Sequence, residues 1–265
     1  MKRVKSKLKT PISYYGGKQS LLKHLLPLIP EHLIYTETFA GGAALLFAKE
    51  EAEIEIINDL NSELVNFYWV ATTKYDDLKV EIDQVLHSRD IHQHARYVYM
   101  NPLFFSDVKR AWAVWVLCKL SFASKLDGSF GFDKSKRTMS KKIGNAKEAF
   151  TLELSERLSR VVIEHDNALK MIKRYDTVDA FHFVDPPYIN SDCGHYEGMF
   201  THIDLMTLLE LLAGIKGKFL LTMYPQEDIE LYAQKHGWEI VAIERVISVS
   251  RTGRKKREEW LVMNY

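Results

Sequence analysis

The sequence predicts an α/β protein built on a doubly wound, mostly parallel sheet. Three observations carry that prediction. Seven strand-like segments are spread along the chain, and from residue 151 onward they alternate with helical patterns. A glycine turn, Phe39-Ala40-Gly41-Gly42, separates the first strand from a helix, and an acid, Asp59, follows the second strand. A rigid turn, Asp185-Pro186-Pro187-Tyr188, comes directly after the apolar run from Ala180 to Val184.

Composition narrows the class. At 265 residues and 46% hydrophobic content, the chain can bury one or two cores and is not expected to be disordered. Cys118 and Cys193 are too few for a disulfide framework, which fits a reducing, cytoplasmic setting. The basic start, Met1 to Thr10, lacks the apolar stretch of a signal peptide. The longest apolar run, Ala111 to Cys118, falls short of the ~18 residues of a membrane span. Net charge is +1, yet residues 109–147 hold ten Lys/Arg against two acids. That window is +8 and leaves −7 for the rest, a segregation of sign that points to a polyanion partner.

In chain order, Pro11-Ile12-Ser13-Tyr14-Tyr15-Gly16-Gly17-Lys18 comes first. Two glycines before a lysine, then Leu21, Leu22, Leu25 and Leu26 at helical spacing, read as a backbone loop that closely approaches a ligand. The phosphate-loop spacing G-x-x-x-x-G-K-[ST] is absent. Ile34 to Thr38 reads as a strand, Ala43 to Glu50 as a helix and Glu53 to Asn58 as a second strand. A glycine turn followed by an acid about 20 residues on is a nucleoside-binding arrangement. The backbone nears the ligand at the turn, and the acid takes ribose hydroxyls. Asp59 could equally cap the next helix, Ser62 to Ala71.

Residues 73–107 show helical patterns. His92 and His94 are two apart, so they point to different faces and read as surface groups rather than metal ligands. The segment 107–122 carries Trp112, Trp115 and Leu117 as a core stripe. Ser121 to Asn145 reads as a loop rich in Gly, Ser and Lys, with Phe122, Phe130 and Phe132 between them. That mixture suits nucleic acid, where cations hold phosphate and aromatics stack or wedge. A helix to about Ser159, a strand from Val161 to Glu164 and a short helix from Asp166 lead to the strand at Ala180. In the polar loop Ser191 to Gly198, Cys193 and His195 supply two of the four ligands a zinc site needs, so no metal is expected. Ile203 to Leu212 reads as a helix, Lys218 to Met223 as a strand and Asp228 to His236 as a helix. Two closing strands, Trp238 to Ser250 and Glu259 to Tyr265, are joined by Arg251 to Arg257, a tip with five basic residues.

The turn Asp185–Tyr188 concentrates the chemistry. Its prolines fix two φ angles and lack N–H groups, so their carbonyls face outward as acceptors. A carboxylate, bare carbonyls and an aromatic face suit a planar base with an exocyclic amine. Asp185 and the Pro186 carbonyl can accept the amine hydrogens, and Tyr188 can stack on the ring. The bland alternative is a proline turn whose aspartate caps a helix.

Taken together and in this order, these stretches resemble the Dam-type DNA adenine-N6 methyltransferases, most strongly at 12–69 and 181–190. The resemblance implies a class I, Rossmann-like methyltransferase fold with about seven strands and a terminal antiparallel hairpin. It implies a catalytic domain over 1–72 and 151–265 and an inserted helical target-recognition domain over 73–150. S-adenosylmethionine would be the methyl donor, contacted by Tyr14, Lys18, Phe39, Gly41 and Asp185, with Asp59 on its ribose. Asp185, Pro186, Pro187 and Tyr188 would act on an adenine flipped from the duplex. Double-stranded DNA would lie on 109–147 and 251–257, and a partner restriction endonuclease is compatible with this picture.

Two departures stand out. Ala43 sits where many members have another glycine. Ser121 to Gly128 replaces the Asn-Gly-Leu-Arg-like run with which Dam enzymes read GATC, leaving the target sequence open. Other amines are rivals: cytosine N4, adenine in RNA, or a protein glutamine, whose turns often begin with Asn or Ser. A non-catalytic DNA-binding module of the same fold would have no need of Asp185, and a nucleotide-dependent oxidoreductase would carry the full G-x-G-x-x-G.

Overall fold

The computed structural model describes residues 8–132, 138–189, 200–247 and 255–265. Its strands are β1 (Ile34–Glu37), β2 (Ile54–Asn58), β3 (Val161–Glu164), β4 (Ala180–Val184), β5 (Lys218–Met223), β6 (Glu239–Ile247) and β7 (Lys255–Met263). They form a seven-stranded sheet in the order β3-β2-β1-β4-β5-β7-β6. β1 pairs in parallel with β2 and β4, and β4 with β5, whereas β7 runs antiparallel to both β5 and β6. All five residues of β4 are buried, as expected of a central strand covered on both faces. This is why its sequence is an almost unbroken apolar run.

The order reverses between β1 and β4. From β1 the chain moves outward to β2, and from β4 it moves the other way to β5. In open parallel sheets, ligands bind outside the C-terminal ends of the two strands at such a switch point. β1 runs into the glycine turn and β4 into Asp185–Tyr188. The two most informative motifs therefore follow the two strands that flank the reversal.

The chain divides into two compact units. The first comprises Met1–Ile29, Gly41–Glu51 and Asp59–His165, and the second Pro30–Ala40, Ala52–Asn58 and Asp166–Tyr265. The first holds α1 (Leu22–Leu25), α2 (Ala44–Ala48), α3 (Ser62–Thr73), α4 (Tyr75–Asp83), α5 (Arg89–Met100), α6 (Asp107–Leu120), α7 (Thr138–Glu148) and α8 (Leu152–Leu158). α6 is apolar all round from Ala111 to Cys118 and is buried accordingly, with α3, α4, α5 and α7 packed against it. Because α3 also packs on α8, this unit runs across the boundaries expected at 72 and 150.

Several expectations need correction here. α7 is helical where a loop was expected; its Ile143 is buried, and that one anchor is hidden among polar residues and Gly144. His92 is not on the surface: it is buried with Nε2 3.0 Å from Ser121 Oγ, and burial pushes its imidazole pKa down. Two cations of the basic window serve internal ion pairs. Arg110 binds Glu63 of α3 through Nε (2.9 Å) and Nη2 (2.5 Å), and Lys109 binds Glu81 of α4 at 2.9 Å. Lys141 and Lys142 are exposed on α7.

The second unit holds α9 (Ala168–Tyr175), α10 (His202–Gly214) and α11 (Glu227–His236). Leu205, Leu208, Leu209 and Leu212 of α10 join Phe219, Leu221 and Met223 of β5 in one core, extended by Ile229 of α11. His182, fully buried in β4, has Nδ1 2.8 Å from Thr36 Oγ1, and burial pulls its pKa down to about 4. β7 begins at Lys255, earlier than expected. Arg251 to Arg254 of the basic tip lie outside the described residues, as do Cys193, His195, Lys134, Lys136 and Arg137.

Candidate active site

In the first unit the site is built around the glycine turn. Gly41 has φ +47°, and a Cβ there would stand 2.9 Å from Tyr14 Cδ1, so the Tyr14 ring lies against the turn and requires glycine. The Gly41 N–H donates to Asp59 Oδ2 at 2.9 Å, and its carbonyl accepts from the Tyr68 hydroxyl at 2.7 Å. Asp59 Oδ1 accepts from the Asn61 N–H at 2.9 Å. Burial pushes the Asp59 carboxyl pKa up, against these backbone N–H bonds, which lower it. Asp59 is therefore not the cap of α3. Asn61 fills that position, accepting from the Glu63 N–H at 3.0 Å. The Leu60 N–H also bonds the carboxylate, whose remaining lone-pair site is left for a further donor.

Ala43, the departure from the family's glycine, adopts φ +48° and ψ 41° while buried at the start of α2. A left-handed alanine costs ~1–2 kcal/mol that glycine avoids, which accounts for the usual glycine there.

The loop before the turn is tight. Gly16 has φ +74°, and the Gly17 N–H donates to the Tyr14 carbonyl at 2.9 Å. Lys18 is buried, with Nζ donating to the Gly16 carbonyl at 3.1 Å. Lys119, at the end of α6, donates to Ser13 Oγ at 3.3 Å, and burial pulls its ammonium down to about 8. The Lys125 ammonium stands 4.7 Å over the Tyr15 ring. Sequence reasoning missed Tyr68 and Lys119, since neither belongs to a motif.

In the second unit Asp185, half-buried, accepts from the Thr222 hydroxyl of β5 through Oδ1 at 2.5 Å. The Tyr188 hydroxyl donates to Glu259 Oε1 of β7 at 2.5 Å. The Tyr188 ring meets Tyr224 edge-on at 4.4 Å, and the Arg257 guanidinium lies 4.3 Å over Tyr224. Burial, then the charges of Asp185 and Glu259, push the Tyr188 phenol well above its ordinary pKa. The phenol therefore stays protonated at neutral pH. Pro186 is buried, and Phe39, half-buried, meets Phe200 edge-on at 6.3 Å. Thr222 left one sequence signal: a polar residue inside the apolar run Phe219-Leu220-Leu221-Thr222-Met223.

The profile of the D12 class N6 adenine-specific DNA methyltransferases matches residues 14–248. Type II methyltransferase M1.LlaDCHI of Lactococcus lactis subsp. cremoris is 26% identical over 298 aligned positions, which take in 100% of this chain and 98% of that protein. Modification methylase StsI of Streptococcus sanguinis is 36% identical over 62 residues, 23% of this chain and 9% of that protein. With both motifs following the strands at the switch point of a seven-stranded sheet, and a profile match over most of its length, the chain belongs to the D12 class N6 adenine-specific DNA methyltransferases.

Proposed function

We propose that Asp185 and the Pro186 carbonyl accept the two N6 hydrogens of an adenine flipped out of double-stranded DNA. The amine's lone pair, otherwise delocalised into the ring, then localises on nitrogen. S-adenosylmethionine supplies an activated methyl group on a sulfonium centre. As nitrogen gains positive charge, the fixed Asp185 carboxylate stabilises it; a preorganised group of this kind is typically worth ~3–4 kcal/mol. The surplus N6 proton leaves to Asp185. Flipping costs a few kcal/mol, of which ~1–3 kcal/mol returns through stacking on Tyr188. Pro187 keeps the turn stiff.

The residues suit the donor. Asp59 keeps a lone pair for a ribose hydroxyl beyond its backbone N–H bonds, and the Tyr14 ring lies against the Gly41 turn. Tyr14, Lys18 and Phe39 complete its contacts, with Asp185 beside the methyl group. Residues 73–150 form the target-recognition part, with phosphate held by cations of 109–147, Lys141 and Lys142 among them, and by 251–257. The reaction belongs in the cytoplasm, and the names of both relatives favour a modification enzyme paired with a restriction endonuclease. The observation that carries this reading is an acid directly after β4, at the sheet's reversal, with one oxygen held by Thr222. An aspartate rather than Asn or Ser at that position favours adenine over cytosine.

Asp185→Ala tests it. Single-turnover methyl transfer should fall by about 10²–10³-fold or more, as expected for the loss of ~3–4 kcal/mol, while donor affinity changes less than transfer does. Retained turnover would remove Asp185 from the mechanism.

A further inference from the structure

Glu259 is an acid in an unusual place. It lies on β7, is 0% exposed, and accepts from the Tyr188 hydroxyl at 2.5 Å. Burying a carboxylate is costly unless it is hydrogen-bonded, so an acid at this depth calls for a structural or functional reason. The adjacent Glu258, by contrast, is exposed, where an acid costs little.

The sheet register shows what Glu259 is aimed at. β5 and β7 are antiparallel, with Thr222 opposite Leu261. Leu261 and Glu259 are two apart on one strand, so Thr222 and Glu259 project from the same face of the pair. Both reach the turn after β4: Thr222 fixes Asp185 Oδ1 and also bonds the Tyr188 hydroxyl, which donates to Glu259. The two ends of the tetrad are thereby held by one rigid face of the sheet. Tyr224, stacked edge-on against Tyr188, limits rotation of the ring from the side.

We infer that Glu259 is a positioning residue for methyl transfer: by holding the Tyr188 phenol it sets the plane of the ring on which the target base stacks. Glu259 touches neither base nor donor and acts through Tyr188. The inference rests on the methyl-transfer reading of Asp185–Tyr188. A tilt of the ring would displace the flipped base from Asp185, which lowers the rate of the chemical step more than the affinity for donor. Misplacement of reacting groups by about 1 Å is enough to cost ~10²-fold.

The test compares Glu259→Leu, Glu259→Gln, Tyr188→Phe and the double variant Glu259→Leu/Tyr188→Phe. Single-turnover transfer is measured together with the fluorescence of 2-aminopurine at the target position. Glu259→Leu should lower transfer about 10–100-fold, leave donor Kd within about threefold, and change the fluorescence of the bound, flipped base. Those ranges follow from small losses of alignment. Glu259→Gln keeps an acceptor oxygen and should restore transfer to within about fivefold of wild type, as expected where the hydrogen bond rather than the charge is needed. In the Tyr188→Phe background, Glu259→Leu should add less than about twofold, because the phenol through which it acts is gone. Penalties that multiply in the double variant, or unchanged transfer and fluorescence in Glu259→Leu, would overturn the inference. If Glu259→Leu does not fold, the same cycle is run with Glu259→Gln and Tyr188→Phe, and a Gln variant as inactive as Asp185→Ala would also overturn it. A wild-type protein that forms no N6-methyladenine would instead bring down the methyl-transfer reading itself, so the two failures are distinguishable.

Discussion

Gly41→Ala probes the turn that carries the proposed donor site. The new methyl group would stand 2.9 Å from Tyr14 Cδ1 and 3.4 Å from Cε1, on a residue at φ +47°. Left-handed alanine costs ~1–2 kcal/mol. The stiffer unfolded chain returns ~0.4–1 kcal/mol. Forcing a methyl into the Tyr14 ring adds ~1–3 kcal/mol of overpacking. The net loss is about 1–5 kcal/mol, centred near 3, read as a lower midpoint in urea at unchanged slope. Ala43, at φ +48°, shows that this protein accommodates a left-handed alanine two residues on, so the Tyr14 ring is the larger part of the penalty. In a Tyr14→Ala background Gly41→Ala should therefore cost ~1 kcal/mol or less, a coupling of ~1–3 kcal/mol. The Gly41 N–H bond to Asp59 would also shift, so donor affinity should fall in the single variant. Additive penalties in the double variant would refute the idea that the ring abuts the turn.

Three further outcomes follow from the structure. His182 is buried with its pKa lowered from 6.5 to about 4, so the unfolded state binds the extra proton between those values. Its contribution is complete above pH 6.5 and is lost as pH falls toward 4, by roughly 3 kcal/mol; His182→Leu should flatten that limb of the stability curve, and an unchanged acid limb would contradict it. Ala43→Gly relieves the left-handed strain while losing a buried methyl, so it should be within ~1 kcal/mol of neutral, whereas Ala44→Gly, inside α2, should cost about 1.5–2 kcal/mol by thermal unfolding. Equal costs would show that Ala43 is not strained. Neutralising Lys141 and Lys142 together should reduce the slope of log K against log salt by about 1.8, if each meets one phosphate; an unaltered slope would place the duplex elsewhere.

Much of the fold was legible because its strands obey local rules. β4 reads as a central strand since all five of its residues are buried, and β5 lies where its apolar run begins and ends. The tetrad and the glycine turn were legible because proline and glycine constrain the backbone whatever surrounds them. What escaped depends on tertiary partners. α7 is a helix held by Ile143, and nothing local in its polar sequence distinguishes it from a loop. His92 is buried through its partner Ser121, distant in sequence. Arg110 looked like part of a DNA-binding patch, yet Glu63 on α3 claims it. Glu259 stood beside an ordinary exposed glutamate, and its burial depends on strand register and on Tyr188, which lies 71 residues earlier. Asp59 reads as a candidate ribose acid in the sequence, but its grip on the Gly41 N–H needed the folded turn.

The central claim is that a fixed carboxylate at the end of β4 directs a methyl group onto the amine of adenine in DNA. Nucleoside analysis by mass spectrometry, after incubating duplex DNA with the protein and isotopically labelled S-adenosylmethionine, tests it most directly. Label should appear in N6-methyladenine with the wild-type protein and disappear with Asp185→Ala. Label in N4-methylcytosine, transfer to RNA but not to DNA, or undiminished N6-methyladenine from Asp185→Ala would contradict the account.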